Sequence, residues 1–190
     1  MTNAKRLIVA ITGASGSLYA LALLKILEQA GVESHGIISA AGRQVLKLEL
    51  DRTPADLPGV TRWHDINDLA APMASGSAPF DGMVVVPCTM GTLAAIASGA
   101  GRNLIHRAAD VTLKEGRPLL LAVRETPLNR IHLENMLRAQ AAGAVICPPM
   151  PAFYTKPTDL ADMAHGFAAR LADLLKVEAP DAKRWGLNSC

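Results

Sequence analysis

The residues able to do chemistry in this chain fall in short clusters. Thr12-Gly13-Ala14-Ser15-Gly16 places backbone N–H groups and a serine hydroxyl where a strand would turn into a helix, an arrangement that suits an anion. The same residues also make a tight turn with a capping serine. Pro87-Cys88-Thr89-Met90-Gly91-Thr92 offers two more hydroxyls and successive N–H groups. Either threonine could equally serve as a helix cap. Arg107, Val111 and Lys114 stand at i, i+4 and i+7, so both cations share one helix face. That face is either a two-cation clamp for a phosphate or a solvated surface whose acids lie elsewhere. Arg124-Glu125 directly follows an apolar run. There the arginine could bind an anion while the glutamate acts as acid/base or stabilises a cation, or the two could pair with each other. Pro148-Pro149-Met150-Pro151-Ala152-Phe153-Tyr154 is a stiff loop that spends two scarce aromatics together. It reads as a plug between subunits or as a tyrosine hydroxyl held over a ligand. Glu49, beside Leu46 and Leu48, reads from composition alone as a surface acid.

These clusters need a frame. Residues 7–12, 32–38, 83–86, 118–123 and 144–147 are short apolar runs that predict buried strands. Residue 20 begins an i, i+3, i+4, i+7 apolar series (Ala20, Leu23, Leu24, Leu27) that predicts a helix stopping at Gly31. Residues 42–50, 91–100, 103–115, 131–142 and 160–175 also predict helices. Residues 51–80, with Pro54, Pro58, Pro72 and Ala74-Ser75-Gly76-Ser77, predict looser structure. Alternating strands and helices call for a doubly wound parallel α/β sheet. Its binding crevice belongs at the carboxyl ends of the strands, where each loop cluster falls.

Composition removes several classes of function. Half of the 190 residues are apolar and 19% are charged, which excludes a disordered chain and gives one domain's worth of core. Nineteen basic against seventeen acidic residues leave a net charge of +2 with no basic run, so neither nucleic acid nor a membrane surface is indicated. No apolar stretch approaches the roughly 20 residues of a membrane span. The first residues run into a strand pattern with no cleavage-type site, giving the expectation of an untargeted, cytoplasmic protein. Cys88, Cys147 and Cys190 form no C-x-x-C, and the five histidines form no metal-ligand spacing, so no protein-built metal site is expected. A nicotinamide dinucleotide fingerprint needs G-x-G-x-x-G and an acid ending the second strand. Here the glycine spacing differs and that strand ends in Ser39, so a phosphate or flavin phosphate suits the loop better.

Taken in order, Ile11 to Gly16, Ala74 to Ser77, Pro87-Cys88-Thr89, Asn103-Leu104-Ile105, Arg107 to Val111, Leu113-Lys114-Glu115, Arg124 to Leu128, Ile131 to Leu137, Pro151 to Tyr154 and Arg184-Trp185 resemble the UbiX family of flavin prenyltransferases. The resemblance runs through nearly the whole chain. It implies a flavodoxin-like or Rossmann-like single domain over residues 1–178 and a C-terminal tail over 179–190. It implies reduced FMN and dimethylallyl monophosphate as the reactants. The prenyl group would be joined to flavin N5 and C6, and the prenylated FMN passed to a UbiD-type decarboxylase. It also implies no metal, and a homo-oligomer, a dodecamer, with sites at subunit contacts.

Carried over by position, Gly13, Ala14, Ser15, Ser39, Thr89, Met90, Gly91, Thr92 and Arg124 would hold FMN. Arg107, Lys114, Tyr154 and Arg170 would grip the prenyl phosphate, near Arg124, Glu125 and the tail residue Trp185. Ser15, Glu49 and Glu125 would handle protons, and Arg107 and Lys114 would assist departure of the phosphate. The sequence departs from the family's usual pattern at Ala20, Thr89 and Gly116. Two other readings share parts of this pattern. A flavin-dependent cysteine decarboxylase would need an active-site histidine and an asparagine signature that are not found, and a non-catalytic flavin carrier would not need Arg107, Lys114 and Glu125 together.

Overall fold

The computed structural model describes residues 4–186; Cys190 lies outside them. Six parallel strands form one sheet: β1 (Arg6–Ile11), β2 (Glu33–Ile38), β3 (Val60–His64), β4 (Gly82–Cys88), β5 (Leu119–Val123) and β6 (Val145–Ile146). Their order is β3-β2-β1-β4-β5-β6. The connections run outward on both sides of the β1/β4 pair. That pair is therefore the topological switch point, where a doubly wound sheet opens its crevice.

The alternation along β1 explains the two layers. Leu7, Val9 and Ile11 pack with residues of α1 (Ser17–Gln29), α2 (Ala40–Leu50) and α6 (Leu160–Leu174). Ile8 and Ala10 pack on the opposite face with α3 (Met90–Ala97), α4 (Leu104–Lys114) and Ala139 of α5 (Arg130–Ala141). Both faces of β1 and β4 are covered, so their sequences are nearly continuous apolar runs. Helix starts are fixed locally. Ser39, Thr89, Asn103, Asn129 and Asp159 each accept a first-turn backbone N–H of the helix they precede.

Two expectations need correction. Residues 51–80 contain a strand, β3, with the sequence Val-Thr-Arg-Trp-His. It lies on the sheet edge with partly exposed side chains, so it lacks the apolar signature of its neighbours. The strand expected over 144–147 is only two residues long, at the opposite edge.

Beside the edge, His35 and His64 are both buried and meet Nδ1 to Nε2 at 2.9 Å, while His35 Nε2 meets Glu33 at 2.8 Å. Burial lowers the pKa of His64. The tail beyond α6 is docked: Ala179 and Ala182 are buried in the core on the α1 side.

Candidate active site

At the β1/β4 switch point the two loop clusters lie side by side. Thr12 donates its hydroxyl to the Pro87 carbonyl at 2.8 Å and accepts the Thr89 N–H at 2.9 Å. Gly13 sits tight against Ala41 at the start of α2, where even a methyl group would collide. The first loop is thus wedged between the starts of α2 and α3. Among the described residues, the backbone N–H groups of Gly13, Ala14 and Ser15 have no acceptor, nor do those of Met90 and Gly91 in the first turn of α3. A methyl group placed on Gly91 would meet open space. Unpaired donors on two adjoining loops suit the phosphate and ring edge of a flavin.

The α1 terminus departs from expectation. The sequence leads to an anion seat at the N-terminus of the helix after Gly16. Instead the chain's own Glu49 fills it, accepting Gly16 N–H at 3.0 Å and Ser17 N–H at 2.7 Å. Gly16 permits this approach with φ of 122°, a conformation that side chains disfavour. Burial works to raise the Glu49 carboxyl. The nearby Ser15 hydroxyl and the bonds from the Ser17 and Gly16 backbone outweigh it and hold the carboxyl below its ordinary range. Glu49 is therefore no idle surface acid, although it is solvent-exposed in the single chain. The structure thus sets Glu49 against the loop that carries Ser15.

Ser39, Thr89 and Thr92 are partly engaged in capping. Ser39 accepts Gly42 N–H at 3.0 Å, and Thr89 accepts Thr92 N–H at 3.2 Å while donating to the Thr92 hydroxyl at 3.0 Å. One strand over, Arg124 N–H donates to the Cys88 carbonyl at 3.2 Å, which sets Arg124 and Glu125 beside the second loop. Glu125 accepts the Thr126 N–H at 3.1 Å, and among the described residues no ion pair joins it to Arg124. Both charges are exposed at the strand end. Cys88 is fully buried, and burial pushes its thiol up to about 12, so it stays a neutral core group.

Arg107 and Lys114 do share a face of α4, and that face lies against the loop 72–78. Arg107 donates to the Ala74 carbonyl at 3.0 Å and pairs with Asp110 at 2.8 Å. Lys114 pairs with Glu115, and both crowd Gly76. Arg117, which spacing does not single out, donates to the carbonyls of Gly76 and Ala78 at 2.8 and 2.9 Å. Gly116, in the left-handed region at φ 64°, turns the chain so that Arg117 can reach them. Lys114 ends α4 near the start of β5, while Arg124 follows the end of the same strand. Five strand residues, roughly 16 Å, separate those levels. One chain therefore does not bring Lys114 to the crevice.

A third group lines a cavity of about 760 Å³ between β6, the loop 147–155, α6 and the tail. It holds Tyr154, Arg170 and Trp185. Tyr154 and Trp185 meet edge to face at 5.0 Å. The tail is clamped there by Arg184, which grips Asp173 with two bonds of 2.7 and 2.8 Å. Lys183 adds bonds to Asp162 and to the Thr155 carbonyl at 3.3 and 3.2 Å. Among the described residues Arg170 has no ion-pair partner. Cys147 also lines the cavity, and burial raises its thiol. The expected site residues thus fall into three groups: a crevice, a cationic helix face and a cavity.

A family model described as Flavoprotein matches residues 1–177. The flavin prenyltransferase PAD1, mitochondrial, of Saccharomyces cerevisiae is 47% identical over 182 residues, covering 95% of this chain and 75% of the yeast protein. AnUbiX (PadA1), solved in complex with FMN and dimethylallyl pyrophosphate, matches with a TM-score of 0.95 and 45% identity over 98% of this chain and 100% of that one. A dodecameric FMN-dependent Ubix-like decarboxylase from Escherichia coli O157:H7 matches with a TM-score of 0.91 and 44% identity over 95% and 98%.

Proposed function

The chain belongs to the flavoprotein family and, within it, to the UbiX-type flavin prenyltransferases, and from that premise we propose how its residues divide the work. The reaction joins the dimethylallyl group of dimethylallyl monophosphate to N5 and C6 of reduced FMN. The product, prenylated FMN, serves a UbiD-type decarboxylase. The observation that carries this reading is the pairing of two donor-rich loops at the β1/β4 switch point with Arg124-Glu125 at the next strand end.

Gly13, Ala14, Ser15, Ser39, the Thr89–Met90–Gly91–Thr92 loop and Arg124 hold FMN through backbone N–H groups, hydroxyls and one guanidinium. When bound, the reduced flavin supplies an electron-rich ring that accepts the prenyl carbon. The chain's own role is to make phosphate a good leaving group. The C–O bond of the prenyl phosphate breaks, and its electron pair departs on the phosphate oxygen. Arg107, Lys114 and Arg170, with the Tyr154 hydroxyl, neutralise that oxygen in place of a metal ion. Glu49, held as a carboxylate beside this loop, is the final proton acceptor, and the Ser15 hydroxyl relays to it by giving up its own proton as it takes one from the flavin side. Glu125, exposed at the end of β5, serves as the acid/base beside Arg124. Trp185 and the apolar portion of the cavity wall exclude water from an allylic cation.

Arg107 and Lys114 face away from the crevice of their own chain, so the complete site is assembled between copies in a homo-oligomer of twelve subunits. Helix α5 supports this: Ala139 is its only buried residue, while Ile131 and Leu137 are 65% and 67% exposed. Residues 179–190 act as a C-terminal tail that serves the site, anchored to the domain core through Ala179 and Ala182. No helix among the described residues is long and apolar enough to cross a membrane, and we place the protein in the cytoplasm.

The test is anaerobic. Purified protein is mixed with reduced FMN and dimethylallyl monophosphate without added metal, and the extracted flavin is weighed by mass spectrometry. A gain of one prenyl unit supports the assignment. Unchanged FMN, from protein that binds both reactants, overturns it.

A further inference from the structure

The hydroxyl of Thr12 occupies a place that none of the assigned roles accounts for. The β1–β4 ladder runs from Leu7 opposite Gly82 to Ala10 opposite Val85. Beyond it the next residues of β4 include Pro87, which has no N–H to offer either neighbour. The β4–β5 register also shifts between Val85 and Cys88. The sheet therefore loses its regular backbone bonding at the level where the crevice begins.

Thr12 supplies the missing connection. Its backbone N–H donates to the Pro87 carbonyl at 3.2 Å, and its hydroxyl donates to the same oxygen at 2.8 Å. The hydroxyl oxygen also accepts the N–H of Thr89, the cap of α3, at 2.9 Å. Thr12 is 2% exposed, so no water stands in for these partners. Its immediate neighbour is Gly13, the first residue of the opposite loop. One buried oxygen thus fixes the height of the α3 start against the loop 13–16.

We infer that Thr12 is a positioning residue for the flavin: its hydroxyl clasps the two loops at the spacing that FMN requires. It does not touch the reacting atoms. Its effect passes through the N–H groups of Met90 and Gly91 on one side and of Gly13 to Ser15 on the other. A buried hydroxyl with both donor and acceptor used is hard to replace by an apolar group of the same shape, because Thr89 N–H would be left unpaired. The inference rests on the assignment of these loops to FMN.

The experiment compares Thr12→Val, which keeps the volume and removes the hydroxyl, with Thr12→Ser, which keeps the hydroxyl. FMN affinity is titrated by the change in flavin absorbance, and the KM for dimethylallyl monophosphate is measured at saturating FMN. The expected result is at least about tenfold weaker FMN binding for Thr12→Val, consistent with loss of both bonds of the buried hydroxyl. Thr12→Ser should stay within about threefold of the parent, and the KM for the prenyl phosphate should stay within about twofold in both. A general loss of structure would move both constants together. Parental FMN affinity in Thr12→Val overturns the clasp. Equal weakening in both variants also overturns it, since the methyl group would then be the cause. If Thr12→Val does not fold, Thr12→Cys takes its place, and parental affinity with that weakly bonding thiol overturns the proposal. A parent protein that bound no FMN would bring down the flavin reading and the clasp together.

Discussion

The crevice at the β1/β4 strand ends and the α4 face near Lys114 are both rich in polar groups, yet they are finished to different degrees. The crevice is held together inside one chain. Thr12 joins its two loops, Glu49 occupies the α1 terminus and Gly13 locks the first loop on α2. The α4 face instead spends its cations on nearby carbonyls and acids of the loop 72–78, of Asp110 and of Glu115. Those exposed ion pairs are readily exchanged for a phosphate, because surface pairs contribute only about 0–1 kcal/mol. On the function proposed above, the flavin-holding loops are complete within one chain, whereas the cations for the prenyl phosphate await a neighbouring copy.

The strongest way to break that comparison is to prevent assembly. Leu133→Asp combined with Leu137→Asp puts charge on the exposed apolar face of α5. The variant should run as a smaller species in light scattering, still bind FMN and make no prenylated product. Retained turnover by a monomer would refute the division.

Within the crevice, Glu125→Gln removes the carboxylate proposed to handle protons without touching either loop. Prenyl transfer should fall by roughly 10²–10⁴, the usual worth of a general acid or base, with FMN affinity unchanged. Full activity of this variant would remove Glu125 from the mechanism. On the α4 face, Lys114→Ala should raise the KM for dimethylallyl monophosphate about tenfold or more and leave FMN titration alone. Loss of FMN affinity alone would show the two regions to be wrongly separated.

The smallest effect concerns Glu49. Its carboxyl is held below the ordinary 4.5, so its contribution to stability is present above that pH and is lost as pH falls through the lower folded value. Glu49→Gln should lower the melting temperature at pH 7 by about 1–4 °C and flatten the acid limb of the stability profile. An unchanged acid limb would mean that other carboxylates control it.

The sequence and the structure agree most closely where burial is greatest. β1, β4 and β5 are covered on both faces, and their unbroken apolar runs reveal them. The five strands legible in sequence fall in the order 2-1-3-4-5, the flavodoxin arrangement. The sixth, β3, adds one edge and makes the order 3-2-1-4-5-6. It escapes notice because an edge strand can carry Thr61 and Arg62 on exposed positions. Helical spacing places Arg107 and Lys114 on one face, because that spacing is local. It cannot reveal that Glu49, on the second helix, caps the first. Nor can it show that Thr12 bonds across 75 residues to Pro87. Such contacts depend on tertiary closure, and no local pattern encodes them.

The fork between Arg184 and Asp173 sets the reach of Trp185. Consecutive Cα atoms lie about 3.8 Å apart, so the indole hangs on a leash one residue long. While the fork holds, Trp185 can swing about its own backbone but cannot travel with the tail as a wide-ranging flap. Its range is a small arc over Tyr154, and any larger excursion must first pull the guanidinium away from its carboxylate.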